Sequence, residues 1–287
     1  MNMSRTVVAL CAATALLSAQ PAAAQTADPN TGALTISGGY DFLNAYMFRG
    51  IPQDEDHFGS VMWPYADLGI MLFSGDGGVK SLGVNVGTWN SLHTGGMGLE
   101  GVGKLWYESD FYTTLGVGFG RGTSVGFTYT AYTSPNGLFT TVKEFALKFA
   151  VDDSGYLGGA AVRPYLLIAR EFDTTPGGGG QADGGLEAGT YMEVGAAPGF
   201  TTSRFGLAVP LKIGLSLDNY YEGADGDERF GFFSLAGIVT VPFSSQPTRF
   251  GSWNVHGGVE YLKLVADRTQ GFGENQVVGS IGIGFSY

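Results

Sequence analysis

Between Gly206 and Asp218 every second side chain is a large apolar one. Leu207, Val209, Leu211, Ile213, Leu215 and Leu217 hold one parity, and Gly206, Lys212, Ser216 and Asp218 hold the other. Successive side chains of an extended chain point to opposite faces, so this stretch reads as a strand with one oily face and one polar face. It is longer than the roughly 5–6 residues usual in globular sheets. It suits a strand crossing a bilayer at a tilt, which needs about 9–11. The pattern recurs in Val125, Phe127 and Tyr129 against Ser124, Thr128 and Thr130, and in Phe145, Leu147, Phe149 and Val151 against Glu144 and Lys148. It closes the chain: Ile281, Ile283, Phe285 and Tyr287 stand opposite Ser280, Gly282, Gly284 and Ser286. Whether the oily face meets a protein core or hydrocarbon decides the fold.

Composition favours short aromatic strands joined by tight turns. The chain has 48 Gly, 20 Phe and 14 Tyr, and both glycine and aromatics are poor choices for helix interiors. Beyond the N-terminal segment no stretch reaches the roughly 18 apolar residues that span a bilayer as a helix. A chain of this kind crosses a membrane only as a closed barrel, which leaves no backbone group unpaired in lipid.

The N-terminus reads as an export signal. Arg5 supplies a basic start, Val7 to Ser18 an apolar run, and Ala22, Ala23 and Ala24 the small residues of a cleavage site. Cleavage is expected after Ala24, leaving a mature domain at 25–287. Cys11 lies inside the apolar run, preceded by Leu10 rather than a small residue, so a lipid anchor is not expected. The mature chain then holds no cysteine, which argues against a disulfide-stapled secreted domain and for a bacterial envelope protein. The net charge of −11 excludes nucleic acid as a natural partner.

Cuts at the glycine, proline and acidic clusters predict an all-β fold, an antiparallel up-and-down transmembrane barrel of about twelve strands, near 34–50, 60–74, 80–92, 104–118, 123–133, 140–152, 162–173, 189–200, 205–220, 229–243, 252–266 and 275–287. The second and tenth alternate poorly. An even number places both termini in the periplasm and the longer connections outside. The runs 51–59, 174–189 and 221–229 obey that rule, whereas 244–251 is long for a periplasmic turn.

The polar parity of these strands collects a lumenal set: Asp41, Arg49, Asp67, Glu108, Asp110, Glu144, Lys148, Arg163, Glu193, Lys212, His256 and Glu260, with Asn85, Trp89, Glu171 and Asp218 beside them. A Lys or Arg facing lipid at the midplane costs about 2–4 kcal/mol, so a shared parity for the charges supports an interior placement. Arg170 and Lys263 fall on the oily parity near exterior strand ends, where long side chains reach water. Acids outnumber bases, which implies a mildly cation-favouring passage; the alternative is a network of paired charges that fills the interior. Arg49 suits either an anionic solute or an ion pair with a neighbour such as Asp67. Trp89 suits a stacking platform or an interface anchor.

Three stretches, YMFRGIPQ at 46–53, VGTWNS at 86–91 and 107–149, together resemble the TorF-like porin family of proteobacterial outer-membrane proteins. The elements that carry the likeness are Tyr46, Phe48, Arg49 and Gly50, then Gly87, Trp89 and Ser91, in the first half of the chain. The resemblance implies an outer-membrane barrel of porin type for small solutes or ions and supplies no cofactor or substrate. The terminal strand, with Phe285 and Tyr287, also looks like the insertion signal read by the barrel-insertion machinery. Outer-membrane lipid and that machinery are therefore the expected partners.

Other chemistry is thinly represented. His57 and His93 sit in the first two exterior connections, where they could meet as a rim metal or hydrolase site. Ser252 and His256 form a Ser-His pair on one strand with no evident third member. ADGDERF at 224–230 has calcium-type oxygens without the helix-flanked loop, and GGGG at 177–180 lacks the following Lys of a phosphate cradle. No enzyme and no cofactor is expected. If Phe285 and Tyr287 carry the insertion signal, Phe285→Ala combined with loss of Tyr287 should lower the yield of assembled barrel, read as the heat-modifiable band on a gel; an unchanged yield would remove them from that role.

Overall fold

The computed structural model describes residues 33–53, 60–94, 104–172, 187–223, 226–244, 250–264 and 273–287. The expected signal at 1–24 lies outside them. Twelve antiparallel strands form one sheet that closes on itself. They are β1 (Leu34–Leu43), β2 (Val61–Ser74), β3 (Val79–His93), β4 (Trp106–Phe119), β5 (Thr123–Thr133), β6 (Val142–Val151), β7 (Pro164–Phe172), β8 (Thr190–Ala196, resuming at Gly199–Thr201), β9 (Gly206–Ala208 and Leu211–Asp218), β10 (Phe230–Pro242), β11 (Ser252–Leu264) and β12 (Asn275–Ser286). Each pairs with its neighbours in the chain, and β1 pairs with both β2 and β12, with Asp41 opposite Gly282 and Trp63. Closure removes the sheet edge, so no row of backbone donors is left open to lipid.

The outward face is the oily one. Leu68, Ile70, Phe111, Leu115, Ile213 and Val259 are among many large apolar side chains left exposed around the cylinder. A water-soluble protein does not display a continuous belt of this kind, and a barrel wetted by hydrocarbon requires it. Aromatics gather toward the strand ends. Trp253 stacks on Phe285 at 5.2 Å near the periplasmic edge, and Phe145 stacks on Phe172 at 4.9 Å near the opposite one. Such girdles flank the apolar band of membrane barrels. Arg170 and Lys263 reach past the belt to Asp218 and Glu274, which shows Asp218 to be a rim residue and not a lumenal one.

The first strand departs from the expected span of 34–50. It stops at Leu43, and the chain turns into the barrel instead of continuing along the wall. Met47–Phe48 and Ile51–Pro52 pair as a separate two-stranded hairpin around Arg49 and Gly50. Both tip residues have positive φ, 49° and 78°. That combination belongs to the tight hairpin turn that matches strand twist, where Asn-Gly is the usual pair. Tyr46 and Phe48 continue the apolar parity of Leu34, Ile36, Tyr40 and Phe42, which would face them outward in a longer strand, but are buried at 2 % and 4 % exposure.

The same inward filling explains why β2 and β10 alternate poorly. β2 turns Trp63 inward and β10 turns Phe232 and Ile238 inward, all buried, while the outward parity is apolar as well. A packed lumen needs bulk on both faces of the wall. Toward the periplasm the β6–β7 connection contains a helical turn, Ser154–Leu157, which no sequence pattern predicts. Asp153 closes it by accepting the backbone N–H groups of Arg163 and Val162, which hold its carboxyl below the ordinary range.

The two faces respond differently to charge. Ile213→Arg, placing a cation mid-strand on the outward face, should destabilise the barrel by about 2–4 kcal/mol in a denaturant titration of lipid-refolded protein. A loss below about 1 kcal/mol, the value near the interfaces, would mean that lipid does not wet this face at mid-depth.

Candidate functional site

The lumen is built in two layers. The exterior layer begins with the hairpin tip. Arg49 donates from Nη1 to Glu144 Oε2 at 2.6 Å and from Nη2 to Glu144 Oε1 at 2.8 Å, a fork meeting a fork. Nη1 also reaches the Tyr220 hydroxyl at 3.0 Å. The guanidinium carbon lies 4.2 Å from the Tyr191 ring centre, 4.9 Å from Phe48 and 5.4 Å from Tyr220. Tyr132 donates to Glu144 Oε1 at 3.2 Å, and Tyr221 donates to the Arg49 carbonyl at 2.7 Å. The two charged side chains are only 4 % and 1 % exposed. Gly50 is required beside them, because a Cβ there would stand 2.7 Å from the Phe232 Cβ.

Tyr46 anchors the root of the hairpin. Its ring packs 5.3 Å from Trp63, 5.4 Å from Trp89 and 5.9 Å from His93, and its hydroxyl bonds Glu108. Trp63 donates to Ser91 at 3.1 Å, and Ser91 lies 2.8 Å from His93 Nε2. Ser91 and His93 have the spacing of a nucleophile and base but are both fully buried under Tyr46, so substrate has no path to them. Glu108 and Asp110 lie side by side in this packed layer at 2 % and 7 % exposure.

The periplasmic layer keeps contact with water at some of its polar side chains. Asp41 accepts from His256 at 2.8 Å, and the other nitrogen of that ring lies 3.0 Å from Asn254 Oδ1. Lys212 faces Glu260 at 3.5 Å, and Ser234 donates to the same carboxylate. Asp67 is held by the Tyr112 hydroxyl at 2.6 Å and Asn85 at 2.7 Å. Glu193 is held by Tyr165 and Tyr191, both at 2.6 Å. Lys148 lies over the Tyr165 ring at 4.5 Å. The side chains of Asp41, His256 and Lys212 are 16 %, 20 % and 15 % exposed, against almost nothing in the exterior layer. Thr35, Ser37, Asn85 and Ser280 add small polar walls of intermediate burial.

Several expectations change. Arg49 pairs with Glu144 and not Asp67, because the hairpin carries it across the lumen. Glu108, Asp110 and Glu144 face inward but line no water-filled passage in this conformation. Arg163, at φ 51°, binds the Ala197 and Gly199 carbonyls and braces the periplasmic turns instead of lining the lumen. Trp89 is neither platform nor interface anchor; it packs against Tyr46 and Trp63. His93 is enclosed, and His57, its expected rim partner, lies outside the described residues. His256 is engaged by Asp41 and Asn254, which disposes of a pairing with Ser252. Among the described residues no three His, Cys, Asp or Glu side chains gather to hold a metal.

Tyr220 and Tyr221 were not singled out by sequence reasoning. The signal was the Asn219-Tyr220-Tyr221 run directly after β9: Asn219 takes φ 43° and turns both aromatics into the barrel. Asparagine tolerates that conformation better than most residues.

No protein-family model matches this chain, and no curated protein matches it. Solved structures similar to it are membrane barrels. An outer membrane channel from Pseudomonas putida F1 aligns over 91 % of this chain and 97 % of its own, at 10 % identity and a TM-score of 0.49. The NanC porin aligns over 89 % and 99 %, at 11 % identity and 0.44. Outer membrane phospholipase A from Escherichia coli aligns over 88 % and 92 %, at 9 % identity and 0.43. At these levels the likenesses carry no argument about activity.

Removing one member of a buried pair leaves the other uncompensated, at about 3–5 kcal/mol. Arg49→Ala should therefore lower barrel stability by that order, while Arg49→Ala with Glu144→Leu should recover part of the loss, both read from denaturant unfolding in detergent. Equal destabilisation by the single and double variants would mean that the pair itself contributes nothing.

Proposed function

We propose that this chain is an exported outer-membrane barrel of porin type, passing small solutes or ions passively, and that its first exterior connection closes it. The supporting observation is the division of the interior. The exterior layer is filled by a hairpin that shares no ladder bond with the barrel wall, and beneath it lies a polar layer in which the Asp41, His256 and Lys212 side chains keep partial exposure. A filling element tied by side chains alone can withdraw without breaking the barrel. The likeness of residues 46–53 to the TorF-like segment fits this reading, since that segment is the hairpin.

In the polar layer Asp67 is held by neutral hydroxyl and amide donors, whereas Asp41 faces His256 and Lys212 stands near both Glu260 and Glu193. The Asp67 carboxylate, held by neutral donors, favours cations. The Arg49–Glu144 clamp supports a second reading, a sealed structural barrel, if the hairpin never leaves. Among the described residues the Ser91–His93 pair is fully buried, and we assign no enzyme activity.

Conductance across a planar bilayer separates the two. The intact chain should show brief small openings, and replacement of residues 47–52 by a short Gly-Ser linker should give long-lived larger ones with cation preference. Asp67→Asn in that background should lower the preference. Silence from both the intact and the linker variant, each inserted and heat-modifiable, would leave the sealed barrel as the correct reading.

A further inference from the structure

Arg49 sits in its surroundings as a ligand sits in a receptor. Its two terminal nitrogens meet both oxygens of Glu144, Tyr220 offers an acceptor at a third position, and the Tyr191 ring covers the guanidinium face. All three groups belong to the wall or its exterior rim, and none belongs to the hairpin that delivers the arginine. The receptor is therefore chemically complete without the loop. A forked carboxylate with an aromatic face matches a planar guanidinium, and a primary ammonium uses neither the fork nor the stacking plane as fully.

The hairpin tip points the same way. A non-glycine residue with φ near 49° at the first turn position is strained, and Asn or Gly would fill it at lower cost. Strain of this kind persists where the surrounding contacts demand that side chain. Here the demand is for a guanidinium at this point in the lumen. The carbonyl of the same residue is held by Tyr221, so the wall grips both backbone and side chain.

We propose that the cage formed by Glu144, Tyr191 and Tyr220 is a binding site for guanidinium-bearing solutes, filled in this conformation by Arg49 as a tethered surrogate. A ligand on a short tether competes at an effective concentration on the order of millimolar, so the intact chain masks the site from dilute solute. The site does not rest on conduction and is read in detergent without a bilayer.

The test uses the full chain carrying Arg49→Ala, with ethylguanidinium as probe and ethylammonium as control. Ethylguanidinium should raise the thermal unfolding midpoint of the variant in a saturable way, and ethylammonium should not. The intact chain should respond only at much higher concentration. Adding Glu144→Gln to the variant should weaken the response at least about tenfold, the scale of a lost charge-assisted bond. If Arg49→Ala does not fold alone, ethylguanidinium should raise the refolded fraction where ethylammonium does not. Equal responses to the two cations, no response in a folded Arg49→Ala barrel, or a response that survives Glu144→Gln would each overturn the proposal.

Discussion

The bidentate pair between Arg49 and Glu144 governs what the inside of this barrel can be. A cation buried at 4 % exposure is tolerable only with a carboxylate in good geometry and with its remaining donors satisfied. Meeting that condition recruits Tyr132, Tyr191, and the adjacent Tyr220 and Tyr221 from three separate stretches of chain, and these in turn fill the space around the hairpin. A lumen that would be roomy in a bare twelve-strand cylinder becomes a solid layer on one side. The polar layer on the other side is what remains once the pair has organised its neighbours.

The barrel was legible because its rule is local. Lipid on one side and polar groups on the other impose a period of two, and residues such as Leu211, Ile213 and Leu217 display it whatever their partners are. Strand limits fell close to the glycine and proline clusters for the same reason. The hairpin at 47–52 was not legible, since Tyr46 and Phe48 continue the parity of β1 and read as more wall. What distinguishes them is a turn at Arg49 and Gly50, and arginine with positive φ breaks the residue preference by which such turns are recognised.

The lumenal set shows the same limit. Parity placed Asp41, Asp67, Glu144, Glu193, Lys212 and Glu260 inside, and the structure puts them there. Parity says nothing of partners across the lumen, because the tilt of closed strands decides which residues meet. Arg49 and Glu144 are 95 positions apart, and Asp41 and His256 are 215 apart. Charge counts therefore overstated the free acidity of the interior: an acid beside a cation contributes little field, and Asp67, held by a hydroxyl and an amide, is a carboxylate left to shape it.

The strand that bears the hairpin is also the strand at the seam. β1 zips to β12, the last segment of the chain, while the tip beyond it fastens to β6, β8 and the segment after β9 on other sectors of the wall. The cylinder is thus joined twice, once around its circumference by backbone ladders and once across its diameter by side chains. The second fastening has no receptor until β9 and the tyrosines after it are in place. A segment made near the start of the chain is thus held by side chains that arrive only near its end, so truncation after β9 would strip the hairpin of part of its seat.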